Sequence, residues 1–333
     1  MRTVRGVHRG CGLVGGADGF LVLDQHCNEA RSGWVGPGEL VGHSLLLPRS
    51  GGFLVRVAGR ERFIDTSVAE VALPGPEAWV SHPFGACRPA TRIHFPDEIG
   101  AERLPARGGV LPRTPGFEWH HWELVAACRR GVDGFEIADR VWTLLRALPP
   151  PHAEPALGLR RPGTDDAHRR LVRSVRELLS TGEFTLGLAA AAHLVGSSAP
   201  HLSRVFRRVT GRSVTAYRNQ LRLQAVLRDL ADGAPCLRTL AAQYGFADQA
   251  HLTRVVRAQL GQPPSAVHRA LRPQPSTDVQ RDPGAGATSC GHDTNQTADA
   301  GRVTGGRTVR AAGRRAAGRL GDHADRHRRD RAG

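Results

Sequence analysis

Two short stretches decide the reading of this chain: AHLVGSSAPHLSRVFRR at residues 192–208 and AAQYGFADQAHLTRVVR at residues 241–257. Each begins with a small residue (Ala192, Ala241) and has a glycine four positions on (Gly196, Gly245). A polar turn with a capping candidate follows (Ser198, Asp248), then a segment carrying His-Leu-x-Arg (His201 to Arg204, His251 to Arg254). Small side chains let two helices cross closely, glycine permits the left-handed corner between them, and Ser or Asp caps the second helix. The spacing therefore predicts two helix-turn-helix units. In the first, Leu188, Ala191, Ala192 and Val195 face inward, and Leu202 and Phe206 anchor the second helix. In the second, Leu237, Leu240, Ala241 and Tyr244 face inward, and Leu252 and Val256 are the anchors.

Working outward, residues 167–272 read as helical throughout. Leu171, Val175, Leu178 and Leu179 form one face of a helix over 168–180, and a long helix over 214–230 joins the two units. Asp232-Gly233-Ala234-Pro235 stops that helix, and Gly261 to Pro264 introduces a short last one. Upstream, residues 149–166 carry Pro149 to Pro151, Pro155 and Pro162-Gly163, the composition of an extended linker. Residues 118–130 and 134–148 have apolar residues at helical spacing, Trp119, Trp122, Val125 and Ala126 on the first segment. They predict a helical hairpin that buries its stripe on the preceding β unit or on another subunit. Residues 41–95 hold short runs rich in branched and aromatic residues at 45–47, 53–57, 62–64, 68–73, 78–80 and 91–95, separated by Gly and Pro turns. Such strands suggest a sandwich or small barrel, and 20–23 adds one more. Residues 273–333 have almost no large apolar side chains and read as a disordered tail.

The chain has 333 residues and a net charge of +15, and its 46 basic residues are all arginine. Residues 1–164 carry 19 Arg against 17 acidic residues, residues 165–272 carry 16 against 7, and the remainder 11 against 7. The excess thus lies on the twin motif, as a phosphate-backbone partner requires. With the anchors inward, Pro200, Ser203 and Arg204 of the first unit and Gln249, Ala250, Thr253 and Arg254 of the second point outward. Arginine pairs bidentately with guanine, and Gln and Thr suit adenine and mixed edges, so these are the base-contact candidates. Arg207, Arg208 and Arg257 are placed for phosphates.

At these residues the chain resembles the DNA-binding domain of the AraC/XylS family of bacterial transcription regulators. The resemblance runs through Leu202 to Gly211, Tyr217 with Leu221 to Leu223, Gly245 to Arg254, and Gly261 to Ser265. It implies two helix-turn-helix units on a bridging helix, inserted into successive major-groove segments of double-stranded promoter DNA. It also implies an activator more often than a repressor, with RNA polymerase as partner. Residues 40–95 resemble, more loosely, the cupin-like barrel that such regulators carry for a small-molecule effector or for homodimer formation. The expected organisation is a cupin-like effector domain over 1–148, a linker over 149–166, a double helix-turn-helix domain over 167–272 and a tail over 273–333. Val256 and Val267 stand where the family commonly has aromatics, which predicts a thinner core for the second unit; Ser197 replaces a usual apolar residue.

A metal-dependent cupin enzyme with an accessory DNA-binding domain is the competing class. His43, His82, His94, His120 and His121 lack the His-x-His and carboxylate spacing of such sites, so no metal, no cofactor and no catalytic residue are expected. The six cysteines are scattered without metal or disulfide spacing and read as reduced thiols. No run is long and apolar enough for a membrane span and no export signal precedes the β unit, so the expected location is the cytoplasm.

Overall fold

A computed structural model describes residues 11–17, 19–25, 33–39, 42–75, 77–82, 89–95, 101–106, 108–149, 162–234 and 236–272. All of them belong to one compact unit. The expected tail and most of the expected linker lie outside the described residues.

Among the described residues ten strands form two antiparallel sheets. One has the order β1-β2-β9-β4-β7-β10 and the other β3-β8-β5-β6. The runs read from sequence are β2 (Phe20–Gln25), β4 (His43–Pro48), β5 (Gly52–Val57), β6 (Arg60–Asp65), β7 (Val68–Ala72), β8 (Glu77–Ser81) and β9 (Ala90–Phe95). Three further strands, β1 (Cys11–Ala17), β3 (Trp34–Glu39) and β10 (Gly109–Pro112), lie at sheet edges. An edge strand needs fewer apolar residues and tolerates Gly and Pro, as the Gly-Pro-Gly of β3 shows. The alternation of side chains across the larger sheet sends Phe20, Val22, Leu45, Leu47, Ile93 and Phe95 to its outer face. Val55, Ile64 and Val68 share a separate small core with Phe53 and Val80.

The hairpin forms as α1 (Pro115–Arg130) and α2 (Gly134–Arg146). Thr114 caps α1 by accepting from the Phe117 amide, and Asp133 caps α2 by accepting from Glu136. Phe117, Leu124 and Cys128 of α1, with Ile137, Val141 and Leu144 of α2, cover the outer face of the larger sheet. The Trp122, Val125 and Ala126 stripe takes neither expected destination. It is buried against the helical half of the same chain, because α1 has apolar residues on two faces and each finds its own core.

That half comprises α3 (Pro162–Ser180), α4 (Leu188–Leu194), α5 (Ala199–Thr210), α6 (Val214–Ala231), α7 (Leu237–Gln243), α8 (Gln249–Leu260) and α9 (Pro264–Leu271). Helix α3 begins at Pro162, inside the stretch read as linker: proline near a helix start has no amide to leave unpaired, so it opens a helix as readily as it extends a linker. Two cores divide the helices. Val175, Leu179, Ala192, Leu202, Phe206 and Tyr217 make one. Leu223, Val226, Leu240, Tyr244, Leu252, Val256 and Val267 contribute to the other, together with the α1 stripe.

Polar groups seal the junction of the β part and the helices. Asp65, fully buried at the end of β6, accepts from Arg176 Nε of α3 at 2.9 Å and Tyr217 OH of α6 at 2.5 Å. Arg113 donates to the Pro48 carbonyl at 2.7 Å and pairs with Glu118 at 2.6 Å. It also lies 2.6 Å from His121 Nδ1, so the imidazole accepts there and donates from Nε2 to Thr91 Oγ1 at 3.0 Å.

This arrangement keeps His121 neutral. Burial first, then the Arg113 and Arg49 charges, hold its pKa well below the ordinary 6.5. In the unfolded chain the ring takes up a proton as the pH falls through its ordinary value, while the folded ring does not. Stability is therefore unaffected by this residue above about pH 6.5 and falls below it, by up to about 1.4 kcal/mol per pH unit. Urea midpoints measured between pH 7.5 and 5.5 are expected to drop with a slope that His121→Gln reduces; an unchanged slope contradicts the assignment.

Candidate nucleic-acid interface

The two reading helices are built alike. In the first unit α4 ends at a corner where Gly196 has φ 67°, and Ser198 accepts from the His201 amide at 3.4 Å to cap α5. In the second, α7 ends at Gly245 with φ 70°, and Asp248 accepts from His251 at 2.6 Å to cap α8. Both corners use backbone that side chains other than glycine adopt at a strain, and at Gly245 a Cβ would also meet Arg222 Nη2 at 2.9 Å. Each reading helix ends at a left-handed glycine, Gly211 or Gly261.

The residues read from sequence as inward are packed inward: Ala192, Leu202 and Phe206 in the first core, Leu240, Ala241, Tyr244, Leu252 and Val256 in the second. This leaves the candidate contacts on the outer faces. Pro200, Arg204, Gln249, Ala250 and Arg254 are exposed, and Ser203 and Thr253 are half-buried. Arg207, Arg208 and Arg257 are exposed at the later turns of their helices. Arg204 Nε donates to the Pro200 carbonyl at 3.2 Å, and Thr253 Oγ1 donates to the Gln249 carbonyl at 2.9 Å, which directs both side chains along their own helices.

Charge pairing distinguishes these arginines from several structural ones. Arg49, Arg113, Arg140, Arg173 and Arg176 all pair with carboxylates. Among the described residues, no carboxylate pairs with Arg204, Arg207, Arg208, Arg254 or Arg257, so their charge is available to a polyanion. Helix α6 joins the units; its 18 residues span about 27 Å, comparable with the ~34 Å of one DNA turn.

Sequence reading did not single out Arg222, which sits within the apolar run of α6. Its Nε donates to the Phe184 carbonyl at 3.1 Å and its guanidinium lies 6.0 Å from the Phe246 ring centre. It therefore ties the loop preceding the first unit to the corner of the second. No spacing marks such a residue in advance, because its partners are a backbone carbonyl and a ring distant in sequence.

Val256 and Val267 are fully buried, in a core to which Trp122 of α1 also belongs.

The histidines of the β part and α1 stand in separate surroundings. His121 is held by Arg113 and Thr91, His120 by Glu123 at 3.0 Å, and the His82 ring lies 5.8 Å from that of Phe53. Burial lowers the pKa of His82 and His94. Among the described residues, no three His, Cys, Asp or Glu side chains form a metal-sized group. Cys128 is buried and burial pushes its thiol up to about 11, far from a reactive thiolate. No helix among the described residues is long and apolar enough to cross a membrane.

Two capped, outward-facing cationic helices on one bridging helix form a pair of helix-turn-helix units. A family model described as "Helix-turn-helix domain" matches residues 188–270. Similar solved structures include an AraC-type transcriptional regulator from Chromobacterium violaceum (19% identity, 31% of this chain and 94% of that one, TM-score 0.29). The C-terminal domain of AraT, a response regulator from Geobacillus stearothermophilus, is another (18%, 34% and 93%, TM-score 0.30). ToxT from Vibrio cholerae is similar over 79% of this chain and 100% of its own, at 12% identity and TM-score 0.30. No curated protein matches the chain.

Proposed function

We propose that the chain is a sequence-specific transcriptional activator that sets α5 and α8 into successive major-groove segments of promoter DNA. In this reading Pro200, Ser203, Arg204, Gln249, Ala250, Thr253 and Arg254 meet base edges, while Arg207, Arg208 and Arg257 meet phosphates. The observation that carries it is the pair of capped helices whose outward arginines have no carboxylate partner among the described residues. The bound chain acts on RNA polymerase in the cytoplasm. Its working parts are the β part and hairpin over 1–148, a connection that ends where α3 begins at Pro162, the DNA-binding half through 272 and the tail over 273–333.

Control by a small-molecule effector belongs to the same proposal. A cavity of about 290 Å³ supports it, bordered by Arg49, Ser50 and Thr66 of the β part and by Phe184, Arg228 and Tyr244 of the helical half. A ligand there touches both halves at once, which is what effector control needs: a contact that differs between two arrangements of them. Homodimer formation through the α1 stripe is not part of the proposal, because that stripe is buried within the chain.

Paired substitutions test the contact roles. Arg204→Ala is expected to remove about 1–3 kcal/mol of discrimination at one base position. Arg208→Ala is expected to weaken binding to all duplexes alike and to lower the slope of log K against log salt by about 1. Titrations of specific and random duplexes at several salt concentrations read both effects. Identical behaviour of the two variants contradicts the assignment.

A further inference from the structure

The two helix-turn-helix units differ in what completes their cores. The apolar core of the first is drawn from the helical half alone: Val172, Val175, Leu179, Leu202, Phe206 and Tyr217 all come from α3, α5 and α6, although the β part reaches Arg176 and Tyr217 through Asp65. The second is not, since Trp122, Val125 and Ala126 of α1 share its core with Leu252, Val256 and Val267. Trp122 is 1% exposed and the two valines are fully buried, and all three belong to one core although Trp122 comes from a different part of the chain.

The indole is also held in orientation. Its Nε1–H donates to Glu118 Oε1 at 2.9 Å, and Glu118 is fixed in turn by Arg113 at 2.6 Å. Gln224 Nε2 lies 3.5 Å from the other Glu118 oxygen and donates to the Thr66 carbonyl at 2.6 Å, so the same chain of polar contacts reaches α6. At its last turn α1 grips the ends of two further helices. Arg129 donates to the Ala231 carbonyl at 3.0 Å and pairs with Asp232 at 2.9 Å, and Arg130 donates to the Ala270 carbonyl at 3.3 Å. The opposite face of α1, through Phe117, Leu124 and Cys128, is part of the core under the larger sheet.

We propose that α1 is a structural member of the second helix-turn-helix unit, and that Trp122 is the positioning residue that sets the pose of α8 in the duplex. A displacement of α1 thereby acts on the core of the second unit and not on that of the first, to which the β part is joined instead through Asp65 on Arg176 and Tyr217. A shift of α1 transmits to α8 through packed side chains, while α5 rests on a core to which α1 contributes nothing. This asymmetry gives the chain a way to alter which half of its operator it reads without releasing the DNA.

The inference rests on the assignment of α5 and α8 as reading helices, and its test keeps the two separable. The full-length chain is titrated with duplexes carrying both half-sites or with either one scrambled. Wild-type protein that ignores both scrambles overturns the reading-helix assignment itself. Given a wild type that responds to both, Trp122→Leu is expected to lower the preference for the intact α8 half-site about tenfold, on the scale of one lost base-pair discrimination. Its preference at the α5 half-site stays unchanged. Adding Val256→Phe, which returns a ring to the core from α8 itself, is expected to restore the lost preference. Trp122→Phe retains a ring but not the indole N–H, and serves if the leucine variant does not fold; its loss is smaller and confined to the same half-site. Equal losses at both half-sites, or none at either, overturn the proposal.

Discussion

Replacing Asp65 with alanine is expected to destabilise the chain by about 3–5 kcal/mol, the usual consequence of removing one partner from a buried ion pair. The carboxylate is fully buried and accepts from Arg176 Nε, Tyr217 OH, and the amide and hydroxyl of Ser67. Without it the Arg176 guanidinium stays in a dry junction with no countercharge. In the intact chain burial works against that cation, yet Asp65 and Tyr217 outweigh it and hold its pKa above the ordinary value. Burial and the neighbouring carboxylate likewise raise the Tyr217 pKa, keeping the hydroxyl a donor at any working pH. Typical domains have 5–15 kcal/mol in total, so a loss of this size takes up a large share of it. Urea denaturation of Asp65→Ala, Arg176→Met and the double variant measures it. The double variant is expected to lose less than the sum of the single ones, since neither charge is then stranded. A single-variant loss below 1 kcal/mol contradicts this account of the junction.

A comparable loss is expected from Phe206→Ala, about 3–5 kcal/mol for deleting a buried phenylalanine ring and leaving its cavity. Phe206 is fully buried, with its ring centre 5.4 Å from that of Tyr217, and it anchors α5 to α6 together with Leu202. The same change at Phe135, which is 90% exposed on α2, is expected to stay within about 0.5 kcal/mol. The position of the loss also matters. Phe206→Ala loosens the helix that carries Ser203 and Arg204, so discrimination at the α5 half-site falls before binding fails altogether. Denaturation midpoints and half-site titrations on both variants check this, and a Phe206→Ala midpoint equal to that of Phe135→Ala contradicts it.

How much of this was legible in the sequence depended on where a residue's partners lie. The twin motif was readable because its determinants are local: a glycine corner, a capping side chain two or three residues on, and anchors four apart. Leu202 with Phe206 and Leu252 with Val256 are packed as that spacing requires. Central strands such as β4 and β9 were readable because they face a core and are rich in branched residues. The edge strands β1 and β3 were not, since glycine-rich segments carry little alternation and take their conformation from a neighbouring strand. The junction was hidden for the same reason at longer range. Asp65 looks like the end of any strand, and its partners are 111 and 152 residues away. The Trp122 stripe announced a buried face but not its destination.

The most direct test of the central claim, that two reading helices on one bridging helix recognise DNA sequence together, is a selection. Random duplexes are bound by the full-length chain at fixed salt, recovered and sequenced. The expected result is two enriched half-sites with centres one helical turn apart, about 10–10.5 base pairs. One is altered by substitutions at Ser203 and Arg204, the other by substitutions at Gln249, Thr253 and Arg254. Recovery of duplexes with no enriched sequence, or of a single half-site indifferent to the α8 substitutions, contradicts it.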